Sequence, residues 1–101
     1  MNFEDFWKKI QSTSGEIELV TLSRKKPFSF SYNHSRDTID IIPSYKTKYP
    51  RASRKKDLKE IWDVAITVTN PFTPSNYLDI TFNSSYIVSI MKYIINDENL
   101  E

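Results

Sequence analysis

Read as a pattern of apolar and polar positions, the chain opens with a helix. Phe3, Phe6, Trp7 and Ile10 fall at i, i+3, i+4 and i+7, a single apolar stripe that predicts a helix over residues 3–12. Asn2 stands where a cap residue accepts an otherwise unpaired backbone N–H, and Asp5 sits near the positive helix end. Ser12-Thr13-Ser14-Gly15 ends the helix, with the only glycine at the stop.

The period then changes to two. Residues 16–23 alternate imperfectly, with Ile17 and Leu19 on one face and Val20 and Leu22 on the other. Residues 27–33 alternate cleanly: Phe28, Phe30 and Tyr32 face one way, Ser29 and Ser31 the other. Residues 36–42 place Ile39 and Ile41 opposite Thr38, Asp40 and Ile42, and Asn33-His34-Ser35 supplies the hairpin turn. A fourth strand is expected at 45–49, with Tyr45, Thr47 and Tyr49 on one face; Pro43 and Pro50 bracket it as a sheet edge.

Helical spacing returns at Leu58, Ile61, Trp62 and Ala65, with Ser53 as the expected cap. The β-branched run Ile66-Thr67-Val68-Thr69 loosens that helix, and residues 70–77, with two prolines, read as loop. Residues 77–82 read as extended or turn-rich. A last helix is expected over 84–96 with Asn83 at its cap. Between Tyr86 and Ile95 only Ser89 and Lys92 are clearly polar, so this helix is either central to a core or half of an interface.

Short hairpin connections favour antiparallel pairing, because parallel strands need long crossovers. The expected fold class is therefore α+β: an antiparallel sheet of three to four strands packed against two to three helices, order α-β-β-β-(β)-α-α. A length of 101 residues fits one domain spanning 1–101.

Composition narrows the chemistry. With no cysteine there is no disulfide and no zinc–thiolate site, and with one glycine there is no glycine-rich phosphate loop or dinucleotide fingerprint. The first ten residues do not read as an export signal and no stretch is apolar enough for a membrane span, so a soluble, cytoplasmic protein is expected. Asn33-His34-Ser35 and Asn83-Ser84-Ser85 match the glycosylation acceptor pattern only formally in that setting.

Nucleophilic catalysis needs a positioned base, and His34, the lone histidine, falls in a turn. Asp37 and Asp40 point to opposite strand faces. Glu60 and Asp63 share a helix face, a solvated one. A metal-nuclease cluster of Asp37, Asp40 and a lysine has no spacing to support it. No enzyme, cofactor or metal is expected.

The net charge of +1 conceals an uneven split. Residues 1–23 set Lys8 and Lys9 against four acids, and residues 60–101 set Lys92 against six. Residues 24–59 hold eleven basic side chains against Asp37, Asp40 and Asp57. Arg24, Lys25 and Lys26 form one cluster at a turn; Lys46, Lys48, Arg51, Arg54, Lys55, Lys56 and Lys59 form a second. Should the fold merge them, they would neutralise phosphates, with Tyr45 and Tyr49 beside the lysines for stacking. A solvated charged face with a lysine-guarded sheet edge, or another acidic partner, explains the same residues. The alternative is a protein-interaction or homodimerisation domain that docks another protein or a second copy through Tyr86, Ile87, Ile90, Met91, Tyr93 and Ile94. A third reading is a small-ligand pocket lined by Trp62 and tyrosines.

Several short strings carry a resemblance: Leu22-Ser23-Arg24 followed by Pro27-Phe28, then Ile41-Ile42-Pro43, Trp62 on its helix, and Asn83-Ser84-Ser85-Tyr86-Ile87. Together they resemble a small bacterial α+β domain found among integron gene-cassette products and attached to restriction-type nucleases. The chain departs from that pattern at Lys25, where a glycine is usual. The resemblance implies a mobile-element setting, which favours nucleic acid as the partner of a non-enzymatic binding domain; it transfers no catalytic residue.

Overall fold

The computed structural model describes residues 1–43 and 50–99, with side chains up to Asn96. Helix α1 (Phe3–Ser12) is followed by strands β1 (Ile17–Val20), β2 (Pro27–Asn33), β3 (Thr38–Pro43) and β4 (Arg51–Arg54), then α2 (Lys55–Ala65), a 3-10 turn (Pro74–Tyr77) and α3 (Ser84–Asn99). The strands form one antiparallel meander in the order β1-β2-β3-β4, so the fold is α+β, as the pattern predicts.

Register decides which side chains meet the helices. Ile17 and Ile41 flank Phe30, and Ile39 lies opposite Tyr32. Phe28, Phe30, Ile39 and Ile41 are buried against Phe6, Trp7 and Ile10 of α1, Leu58 and Ile61 of α2, and Ile87, Ile90 and Met91 of α3. The helices therefore cover one sheet face. The other face keeps Ser29, Ser31 and Asp40 half-buried and leaves Glu18 and Val20 exposed.

Helix α1 begins as expected: the Asn2 side chain accepts the Asp5 backbone N–H at 2.8 Å. Gly15 adopts φ +69, a left-handed conformation that glycine takes without a steric penalty. Trp7 stacks on Phe3 at 6.0 Å between centroids, and Trp62 meets Phe6 at 5.0 Å, so both indoles belong to the core.

One expectation changes. Ser53 does not cap α2. It lies within β4 opposite Ile39, points into the core and accepts from Asn83 Nδ2 at 3.4 Å; α2 starts two residues later without a side-chain cap. Pairing with β3 satisfies the backbone there and outweighs the capping preference. The strand expected at 45–49 lies outside the described residues.

The final helix packs largely within the chain. Ile87, Ile90, Met91 and Ile94 are buried within this chain and Tyr86 nearly so, leaving Tyr93 as the one surface residue of the six candidate interface positions. Ser89, the polar residue on the buried side, donates to the Val20 carbonyl at 2.7 Å and ties α3 to β1. Among the described residues, no helix is long and apolar enough to cross a membrane.

Candidate nucleic-acid interface

The β1–β2 turn is a closed loop built on Thr21. Its N–H donates to the Lys26 carbonyl at 2.9 Å, its carbonyl accepts from Lys25 N–H at 3.1 Å, and its hydroxyl accepts from Lys26 N–H at 3.0 Å. Closing the loop puts Lys25 at φ 56, in the left-handed region. Ser23, Arg24 and Lys26 project into a cleft of about 440 Å³, whereas Lys25 does not line it.

Across the cleft stands Arg51, the first residue of β4. Pairing with Ile41 puts it on the helix-covered face, but at the end of a short edge strand its long side chain reaches out of the core. The guanidinium lies 5.6 Å from the centre of the Tyr86 ring, and that ring packs edge-on against Phe28 at 5.0 Å. A cation over an anchored ring is held in place without losing its charge. Ser85 and Tyr86 from the start of α3, Pro74 and Phe82 complete the walls. Among the described residues, no carboxylate forms an ion pair with Arg24 or Arg51.

Phe82 is 99% exposed. It directly precedes Asn83, whose carbonyl accepts from the N–H groups of Tyr86 and Ile87 at 3.0 Å, the helix-start position. An apolar residue there commonly staples to the fifth residue along, here Ile87. Ile87 is instead fully buried in the core and Phe82 stands clear of it.

The rest of the basic segment diverges. Arg54 points from the opposite sheet face and makes two hydrogen bonds to Asp57, at 3.3 and 3.2 Å. Lys59 bonds Asp63 at 2.6 Å, and Lys55 lies 4.0 Å from Glu4. Lys55, Lys56 and Lys59 flank a separate shallow hollow beside Phe3 and Glu4. Lys46 and Lys48, with Tyr45 and Tyr49, lie outside the described residues. Of the ten candidate cations, the structure brings Arg24, Lys26 and Arg51 together.

The carboxylates follow local partners. Asp37, at φ 55 in the β2–β3 turn, accepts from Trp7 Nε1 at 3.3 Å and from the Tyr32 hydroxyl. The Tyr32 hydrogen bond, with that of Trp7, holds its carboxyl below the usual value, and the same contact pushes the Tyr32 phenol up. Asp40 accepts from Asn33 Nδ2 at 3.0 Å and Thr38 Oγ1 at 3.1 Å. His34 is exposed, its ring packed edge-on to Tyr32 at 4.7 Å. Among the described residues no group of three His, Asp or Glu side chains gathers as a metal-ligand set.

Sequence reasoning missed Phe82, Ser85 and the role of Tyr86 beneath Arg51. No periodicity marks Phe82, and the strings around it read equally well as extended chain. The fold and cleft together describe an α+β domain with a basic, aromatic-edged cavity. Set against known protein families, curated proteins and solved structures, the chain matches none.

Proposed function

We propose that this domain binds single-stranded nucleic acid through the cleft between the β1–β2 turn, the head of β4 and the start of α3. One observation carries the reading: Arg24, Lys26 and Arg51 converge in a single cavity whose rim bears the fully exposed ring of Phe82. Cations that neutralise phosphate, set beside an aromatic face on which a base can stack, are the working parts of single-strand recognition. The hydroxyls of Ser23 and Ser85 add donors for phosphate oxygens. The mobile-element setting implied by the sequence resemblance, and a place inside the cell, agree with such a role.

Fluorescence anisotropy with a labelled ten-nucleotide strand of mixed sequence tests it. Binding at low salt is expected, weakened about tenfold by Phe82→Ala, in keeping with the usual worth of one stacked base. Phe82 contributes nothing to the core, so that variant keeps its fold. Absence of binding to any single strand at low salt would overturn the proposal.

A further inference from the structure

The layout of the cleft differs from that of a groove that tracks a running strand. A track spreads its cations along the backbone and offers successive stacking faces. Here Arg24, Lys26 and Arg51 face one cavity of about 440 Å³, near the lower end of the range for small-ligand pockets. Among the described residues that line it, one aromatic ring is free to stack. Phe82 is fully exposed, whereas Tyr86 is 9% exposed and packed beneath Arg51. An internal phosphodiester brings a single negative charge to this cluster. A terminal phosphomonoester brings about −1.5 to −2 near neutral pH and three accepting oxygens. The donor set fits the second better: two guanidinium forks, one ammonium, and the hydroxyls of Ser23 and Ser85.

We infer that the cleft is an end-recognition site, seating the terminal phosphate of a single strand on Arg24, Lys26 and Arg51 while the last base stacks on Phe82. This rests on the single-strand reading above and adds to it the part of the strand that is bound. Phosphate at a strand end and phosphate on a free mononucleotide share this chemistry, and the measurements separate them.

The test uses ten-nucleotide strands of one sequence carrying a 5′-phosphate, a 3′-phosphate or hydroxyls at both ends, with anisotropy as the readout. One phosphorylated end is expected to bind about tenfold more tightly than the hydroxyl-ended strand, the gain of roughly one strong charge-assisted contact. Arg24→Ala and Arg51→Ala should each erase that preference, and the residual binding to all three strands should weaken equally. Arg24 sits on an exposed turn, so its variant keeps the test valid if Arg51→Ala disturbs β4. A mononucleotide should compete less well than the phosphorylated strand.

Equal affinity for all three strands would overturn end recognition and leave single-strand binding standing. No binding to any strand would remove both. Capture of a phosphoserine peptide as tightly as the phosphorylated strand, or equal competition by the mononucleotide, would also overturn the assignment to a strand end.

Discussion

The sharpest prediction concerns which basic residues a bound strand feels. For single strands, the logarithm of the binding constant falls with the logarithm of salt concentration by about 0.7 per phosphate neutralised. Three cations converge on the cleft, Arg24, Lys26 and Arg51. For a strand with a phosphorylated end, the terminal phosphate and the neighbouring phosphodiester together carry about three charges; neutralising one with each cation gives a slope of about −2, and raising salt from about 50 to 200 mM weakens binding about 20-fold. Removing one cation with Arg51→Ala brings the slope to about −1.4 and the loss over the same range to about sevenfold. Arg24→Ala should do the same.

The controls come from the same stretch of chain. Arg54 and Lys59 are already paired with Asp57 and Asp63 and lie away from the cavity. Arg54→Ala and Lys59→Ala should leave the slope unchanged. A titration of labelled single strand at four salt concentrations measures all five proteins. A slope near zero, or equal drops for Arg54→Ala and Arg51→Ala, would refute convergence and return the basic segment to a diffuse charged face.

Three further outcomes follow from the fold. Asp37→Asn keeps a residue that tolerates the left-handed turn and removes only the carboxylate. Because the folded-state pKa of Asp37 is lowered, its contribution is present above the ordinary value of 3.8 and fades as pH falls through the lower folded value. Wild type should thus exceed the variant in Tm at pH 6, and the gap should narrow as pH falls below 3.8. Tyr32 shifts the other way, so the advantage should also shrink as pH rises past 10. Tyr77 is fully buried and its hydroxyl donates to the Pro71 carbonyl. Tyr77→Phe strands that acceptor and should cost about 1–3 kcal/mol in urea denaturation. Gly15→Ala meets no atom within 4 Å, so its cost is conformational alone, about 1 kcal/mol by the same measurement.

Where local pattern and pairing agree, the sequence was a reliable guide. The α1 stripe and the clean alternation of β2 gave both elements to the residue, because each buries one face at its natural period. Strand β4 escaped detection because Arg51-Ala52-Ser53-Arg54 carries no apolar alternation. Its existence depends on β3, a partner brought in by the chain reversal, and a pairing of that kind leaves no trace in local composition. The cleft inherits this difficulty. Arg51 differs from Arg54 only in register: one lies opposite Ile41 on the helix-covered face, the other opposite Thr38 on the far face. Counting charge along the segment treats them alike, while the sheet assigns them to different surfaces. Lys25 is a further case: it takes a left-handed backbone that a lysine does not announce, because the loop closed on Thr21 requires it.

The cleft draws its walls from residues 21–26, from Arg51 and from residues 82–86, segments separated by most of the chain. No short peptide cut from this protein holds all three, and the denatured chain has no such cavity. An occupant of the cleft would bind the folded chain alone and act as a clasp across the sheet edge. At a tenfold excess over Kd, such a clasp raises the unfolding free energy by about 1.4 kcal/mol. A thermal-shift screen would therefore register the right ligand before its identity was guessed.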